Sequence, residues 1–291
     1  MKRHWLATGL LLSILVVGNC WAKYKENPDA VFKAFHADDS TINQAVIDEL
    51  KLDLLANDQY GKGLRWERDV PGNIKVLAID VESSTNYLFW RREGKRWQYL
   101  GSREYELQIP GQPIVKTITT PDNRSFLRII YYQDEGTGIL RQGENWFDLS
   151  GKKLKKILSF PIDGYYDFPY IGGDVIFKRS SLKLIEGSLY LAVHYEGHYK
   201  TNFWEELYPN NHEFIVVKRD LYYVLPKGKR TFIVDKSKSK WKKGDIMYLY
   251  YPCITNFKDL FPEEINELKK KNDPKLNKLI DTIESWKGDS E

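Results

Sequence analysis

The sequence predicts a mainly β fold, with a short helical segment before it and a helical tail after it. Between residues 74 and 254, short runs rich in β-branched and aromatic residues are separated by clusters of Gly, Pro, Asn and Asp. These separations are too short for crossover helices, so antiparallel strands in a meander or a sandwich are favoured. On either side of this region, apolar residues recur at helical spacing.

The first 22 residues have the pattern of a secretory signal peptide. Two basic residues are followed by an apolar core of about 13 residues, and the segment ends on the small residue Ala22. The core is shorter than the ~20 residues that a membrane-spanning helix needs. We therefore expect cleavage after Ala22 and a periplasmic or secreted mature chain without a transmembrane segment. Lipid anchoring at Cys20 is less favoured, because Asn19 stands where a small residue is usual.

Residues 23–62 form the predicted N-terminal helical segment. A capping box at 41–44 precedes apolar residues at helical spacing, including Val46, Leu50 and Leu54. This pattern predicts a helix of about four turns that ends near Asn57. A Pro-Gly-Asn turn at 71–73 then leads into the first clear strand.

The predicted antiparallel β domain spans residues 63–258. Its clearest strands are 74–79, 87–90, 97–100, 126–132, 189–195, 214–217, 231–234 and 246–251. Several of these runs place an aromatic strand before a glycine turn, a weak internal repeat that makes a propeller the second choice. The repeats are unequally spaced, whereas propeller blades recur at a fixed period, so a meander or sandwich is preferred.

Residues 259–291 form the predicted helical tail. Asp259 is placed to cap a first helix, and Asp273 with Pro274 to start a second. The apolar stripe of the second helix, which includes Leu276 and Ile283, is expected to pack on the β domain. Binding of a partner by the same stripe is the alternative.

The charge balance of the chain argues against nucleic-acid binding. The sequence has 44 Lys and Arg against 40 Asp and Glu, and loss of the signal peptide brings it closer to neutral. A local excess of lysine at 236–243 is typical of a solvated loop or strand edge, with contact to an anionic polymer or lipid headgroups as the alternative. After cleavage Cys253 is the one cysteine left, so no intrachain disulfide is expected and a small buried thiol is favoured over a nucleophile.

The most chemically suggestive strand covers residues 189–198. Alternation places its apolar residues toward the core and puts His194, Glu196 and His198 on the other face. Such groups serve in acid-base catalysis or bind metal, and His212 is a further weak metal candidate. The i, i+2, i+4 spacing spans about 13 Å, which is too long for three ligands of one ion unless Gly197 folds the chain back. An exposed polar face is therefore preferred, and we expect no metal and no cofactor.

A second candidate is the loop at 163–174, which contains Asp163, Asp167 and Asp174 among aromatic residues. Paired carboxylates flanked by rings are what a glycosidase requires. The same composition is also typical of a long β connection, in which aspartates bond their own backbone, and this interpretation is preferred.

The sequence contains no serine-hydrolase elbow, zinc-protease, phosphate-loop or calcium-loop motif. We therefore expect an exported binding or accessory protein of the cell envelope or extracellular space, which recognises a glycan or protein partner without catalysis. The alternative is an exported hydrolase that acts on a glycan or related polymer through the His and carboxylate candidates. The oligomeric state is left open.

Overall fold

A computed structural model of the chain describes residues 23–37, 39–54, 63–67, 70, 73–81, 84–106, 114–134, 139–167, 171–201, 212–250 and 257–285. Within these ranges the fold is mainly β, with antiparallel sheets and helices before and after the strands, as predicted. The described residues divide into two compact units. Unit 1 contains those up to Thr117 and Leu149–Lys155, and unit 2 contains Ile118–Asp148 and those from Lys156 onward.

Unit 1 is a four-stranded meander with two helices. Its elements are α1 (Pro28–His36), α2 (Ser40–Leu50), β1 (Leu64–Glu67), β2 (Ile74–Val81), β3 (Ser84–Glu93) and β4 (Arg96–Glu106). The strands are antiparallel neighbours in sequence order. The helices and the sheet share one core, which includes Phe35, Val46, Leu88 and Trp90. The helical segment therefore packs its apolar stripe on this sheet.

Helix α2 differs from the helix expected at its position. Its N-cap is Asp39, whose side chain accepts hydrogen bonds from the backbone N–H groups of Thr41 and Ile42. The helix ends at Leu50, because Lys51 adopts a left-handed conformation with φ 56°. The predicted end near Asn57 was therefore wrong; residues 55–62 lie outside the described ranges.

The second sheet belongs mainly to unit 2 and has nine strands. They are β5 (Ile114–Thr119), β6 (Ser125–Asp134), β7 (Ile139–Asp148), β8 (Lys155–Asp167), β9 (Ile171–Arg179), β10 (Lys183–Ile185), β11 (Ser188–Thr201), β12 (Glu213–Leu225) and β13 (Ile233–Val234). The order is β13-β12-β11-β9-β8-β7-β6-β5, and β10 also pairs with β11. The described strands thus form a second meander and not the repeated blades of a propeller.

Four helices follow the strands of unit 2: α3 (Lys243–Met247), α4 (Phe257–Leu260), α5 (Pro262–Lys269) and α6 (Pro274–Ser285). The apolar stripe of α6 belongs to the same core as β11 and β12. Tyr199 of β11 stacks on Phe261 and meets Phe257 edge to face. The helices therefore cover one side of these strands. No helix in the described ranges has both the length and the apolar character needed to cross a membrane.

Two predictions at this end of the chain were wrong. Residues 246–251 were expected to form a strand, but the segment begins in α3, where Asp245 accepts a hydrogen bond from the backbone N–H of Lys242. Ile246, Leu249 and Tyr250 are buried at helical spacing and do not alternate. Asp259 lies inside α4 and does not cap the following helix, which begins at Pro262. Cys253 lies outside the described residues.

Candidate functional site: an open sheet face

Strand β11 has one buried side and one open side. Leu189, Leu191, Val193 and Tyr195 are almost fully buried, as the alternation predicts. The residues between them are half-buried or exposed and face the side that the C-terminal helices leave free. His194, Glu196 and His198 therefore lie on a solvent-accessible sheet surface.

The neighbouring strands bring the two candidate groups onto the same surface. Asp174 of β9 lies directly opposite His198, and Tyr165 of β8 lies directly opposite Asp174. On the other side of β11, Lys218 and Asp220 of β12 lie opposite Glu196 and His194. Directly opposed residues share a face. We call this surface the open face; it contains Asp163, Tyr165, Asp174, Ile176, Lys178, His194, Glu196, His198, Lys200, Lys218 and Asp220.

The two histidines of the open face form separate pairs with carboxylates. Nδ1 of His194 lies 2.7 Å from Oδ1 of Asp220. Nδ1 of His198 lies 2.7 Å from Oε2 of Glu213, and its Nε2 lies 3.6 Å from Oε2 of Glu196. The predicted set of three is therefore divided, with Glu196 and His198 together and His194 apart.

The remaining charges of the open face are also paired. Nζ of Lys218 lies 3.2 Å from Oε1 of Glu196, and Nζ of Lys200 lies 3.3 Å from Oδ2 of Asp174. The hydrogen bond from Lys218 lowers the pKa of Glu196, and the charges of Lys218 and Lys178 lower it further. Glu196 is thus a carboxylate held by cations, not a proton donor near neutral pH.

The aspartates of the second candidate have different surroundings. Oδ1 of Asp163 accepts a hydrogen bond of 2.9 Å from the backbone N–H of Phe177. The pairing of β8 with β9 ends at Val175, two residues before Phe177. The carboxylate of Asp163 therefore accepts the backbone N–H of Phe177, which has no β8 carbonyl opposite it among the described pairs. The side chain of Asp167 lies outside the described residues.

The metal candidates do not gather into one set. His194 and His198 have separate carboxylate partners, and His212 is exposed just before β12. Strand β11 runs through Gly197 without folding back. In the part of the chain that the structure describes, no three His, Cys, Asp or Glu side chains are arranged to hold a metal ion.

Sequence reasoning missed two exposed side chains between these ion pairs. Tyr165 is 45% exposed and Ile176 is 43% exposed. They lie diagonally across the β8–β9 pair, because Tyr165 opposes Asp174. The signal in the sequence is the alternation at 174–178, in which Ile176 falls on the polar side of its strand.

A second polar group lies on the buried side of the same sheet. Glu144 of β7 is fully buried and accepts hydrogen bonds from Nη2 of Arg128 (2.8 Å), Nη1 of Arg179 (2.5 Å) and Nε1 of Trp146 (2.5 Å). Two guanidinium groups thus share one carboxylate, which leaves a net positive charge. Sequence analysis missed this cluster, and its signal is a charged residue at the inward position of each strand.

A cavity of about 400 Å³ adjoins the cluster. Arg179 and Trp146 form part of its wall, and Ser181, Thr119 and Leu182 are among the other lining residues. Burial lowers the pKa of Arg179, with Glu144 opposing this effect and Arg128 reinforcing it. The cavity therefore places a partly desolvated cation beside apolar surface.

Comparison of the whole chain with protein-family models, with curated proteins and with solved structures finds no match in any of the three.

Proposed function

We propose that the protein is an exported binding or accessory protein of the cell envelope or extracellular space, and that the open face docks a partner without catalysis. The observation that carries this proposal is the arrangement of Tyr165 and Ile176. Both are large, apolar and exposed, and both are surrounded by charged side chains that cross-strand pairs hold in place.

This arrangement has the anatomy of a protein interface. Interfaces combine an aromatic and aliphatic centre with a polar rim, and charged rims fix the register of the partner. Lys218 and Asp220 present both signs of charge along β12 and are 71% and 51% exposed. A partner with the complementary alternation of charges fits this face. We favour a protein over a glycan, because Tyr165 is the one exposed aromatic ring among the open-face residues named above and sugar binding generally uses stacked rings.

Export is the second part of the proposal and rests on the sequence. The basic start, the short apolar core and Ala22 support cleavage there and a periplasmic or secreted chain. Recovery of a chain that starts at Lys23 from the extracytoplasmic fraction is the expected result. A chain retained in the cytoplasm with its first 22 residues intact would contradict it.

Photo-crosslinking in the cells that produce the protein tests the docking surface. A benzophenone amino acid replaces Tyr165 in one variant and Tyr248 in a control, because the two tyrosines are 45% and 47% exposed. Tyr248 follows α3 and is not on the open face. We expect a discrete crosslinked protein at position 165 that is lost with Ile176→Lys, and none at position 248.

Other results of this experiment have definite meanings. A glycan-shifted smear at position 165 that is removed by glycosidases would replace the protein partner with a glycan. Equal crosslinking at 165 and 248, or none at 165, would overturn docking on the open face.

One observation favours the hydrolase alternative. His198 has Glu213 on Nδ1 and Glu196 near Nε2, and a carboxylate on Nδ1 is how a general base is commonly oriented. If the protein hydrolyses an envelope glycan and His198→Ala abolishes this activity, the alternative is correct. Under the main proposal, His198→Ala leaves the crosslink at position 165 in place.

A further inference from the structure

We propose that the cavity beside Arg179 is a second binding site, which takes a carboxylate attached to a small apolar body. This site lies on the buried side of the sheet and is independent of the docking proposed for the open face. The proposal rests on the charge of the cluster, on the free donors of Arg179 and on the lining of the cavity.

The charge of the cluster calls for an anion. Arg128 and Arg179 carry two positive charges, and Glu144 carries the one negative charge between them. Glu144 is 0% exposed, so its charge is fully committed to its three donors. The side chains of Arg128 and Arg179 are 19% and 27% exposed, so their excess positive charge is partly desolvated and is stabilised when an anion neutralises it. An anionic ligand beside Arg179 provides that neutralisation.

The donors of Arg179 specify a planar anion. Its Nη1 bonds to Glu144, whereas Nε and Nη2 have no acceptor in the described part of the chain. A guanidinium group that keeps two donors on one edge matches the two oxygens of a carboxylate. The guanidinium carbon also lies 5.6 Å from the centre of the Trp146 ring, which restricts its movement.

The other walls of the cavity are mostly apolar. They are formed by Ile118, Pro121, Trp146, Leu182 and Leu191. The hydroxyl groups nearby are partly committed, since Ser180 accepts from the backbone of Ala192 and Thr120 bonds within its own turn. The ligand therefore combines one carboxylate with an apolar group. About 400 Å³ lies within the usual range of ~300 to 1,000 Å³ for small-ligand pockets.

A carboxylate of this kind has two sources, a free small acid or the C-terminus of a peptide that ends in an apolar residue. Calorimetry with the purified protein compares 3-phenylpropionate with its uncharged amide. A second pair, acetyl-Gly-Gly-Phe with a free C-terminus and the same peptide amidated, distinguishes the sources. Tighter binding of the free peptide acid indicates a chain terminus, and tighter binding of 3-phenylpropionate indicates a small metabolite.

Three variants locate the binding. Arg179→Gln removes the carboxylate partner while Glu144 keeps Arg128 and Trp146, so the fold is retained. Ser181→Asp places a negative charge at an exposed position of the lining and disturbs no buried group. Lys178→Gln is the matched control, because it removes one positive charge from the adjacent residue on the opposite face of β9.

We expect 3-phenylpropionate to bind and its amide to bind at least tenfold more weakly. Arg179→Gln should weaken binding of the acid about tenfold or more, since hydrogen bonds to charged groups contribute about that factor. Ser181→Asp should weaken it as well, because the new carboxylate repels the carboxylate of the ligand. Lys178→Gln should leave the affinity unchanged within about twofold. Equal affinity for acid and amide, equal losses in Arg179→Gln and Lys178→Gln, or no saturable binding of either acid at millimolar concentration would overturn the proposal.

Discussion

On the buried side of β11, the ring of Tyr199 leaves no room for a side chain at Gly197. A Cβ atom at Gly197 would lie 2.7 Å from the hydroxyl oxygen of Tyr199. That hydroxyl is buried and donates to the backbone carbonyl of Leu249 at 3.1 Å, so it cannot move aside without losing its partner. The glycine therefore provides room for a ring and does not bend the strand.

Gly197→Ala is expected to lower the free energy of unfolding by about 1 to 3 kcal/mol, the usual cost of overpacking a core. Gly244→Ala is the control, because a Cβ there meets nothing within 4 Å and alanine favours helix α3. Urea unfolding of both variants checks the prediction. A Gly197→Ala protein as stable as the Gly244→Ala protein would show that the Tyr199 hydroxyl is not held in place.

For single residues, the sequence predicts which face of a strand a side chain lies on better than it predicts the side chain's ion-pair partner. The alternation along 189–198 correctly places His194, Glu196 and His198 on the open side. It does not reveal Asp220 or Glu213, because alternation within β11 does not fix the register of β11 against β12. Glu144 and Arg179 are 35 residues apart and meet only through the order of the strands.

At the scale of elements, buried Arg219 connects β12, the lysine-rich segment and the C-terminal helices. Its Nη1 lies 2.5 Å from Oε1 of Glu264 in α5, and its guanidinium lies 3.8 Å from the centre of the Trp241 ring. Lys240 of the same segment pairs with Glu263 at 3.0 Å. The lysine-rich segment is thus tied to α5 directly by the exposed Lys240–Glu263 pair. It is also tied indirectly, because Trp241 packs on the guanidinium that pairs with Glu264.

Arg219→Met is expected to destabilise unit 2 by about 3 to 5 kcal/mol, because it leaves the mostly buried Glu264 without its cation. Adding Glu264→Leu should recover much of this loss, since the uncompensated charge is then gone. Lys270→Met, at the C-cap of α5, is the control; the pair of Lys270 with Glu267 is 70% exposed on both sides and contributes little. Urea unfolding measures all three, and no recovery in the double variant would contradict the charge argument.

Elements were predictable where one periodicity dominated the sequence. Alternation identified the two faces of β11, and helical spacing identified the stripe of α6 with Asp273 as its cap. The strands β3 and β6 were recognised as runs rich in β-branched and aromatic residues. The strand prediction for residues 246–251 failed because a continuous run of aliphatic and aromatic side chains shows neither the helical nor the strand period. There, burial at Ile246, Leu249 and Tyr250 reveals the helical spacing only after the fold is known.

At the scale of the whole molecule, each unit has its own core, and no described residue is a buried member of both. The sequence does not indicate this division, because the chain passes from unit 1 to unit 2 and returns for Leu149–Lys155. Backbone hydrogen bonds attach Leu149–Lys155 to unit 1, for example the bond of 3.0 Å from the N–H of Leu154 to the carbonyl of Leu100. A short segment of this kind carries no distinctive pattern.

Several tyrosines in the described part of the chain are buried, and this makes the stability of the protein sensitive to high pH. Burial raises the pKa of Tyr87, Tyr99, Tyr195, Tyr199, Tyr223 and Tyr250, that of Tyr99 to about 12. The folded state therefore keeps protons that the unfolded chain releases above pH ~10. Their contribution to stability is complete below that pH and is lost as the pH rises through the pKa values of the folded state.

Tyr223→Phe isolates one of these groups. The Tyr223 hydroxyl is buried and has no hydrogen-bond partner in the described part of the chain, so the substitution removes an ionisable group without removing a bond. We expect little change at pH 7, and at pH 11 an advantage over the wild type of about 1.4 kcal/mol, the value of one pH unit above the unfolded pKa. Urea unfolding at both pH values measures this difference. Equal losses for the two proteins between pH 7 and pH 11 would mean that the Tyr223 hydroxyl ionises in the folded state as readily as in the unfolded chain.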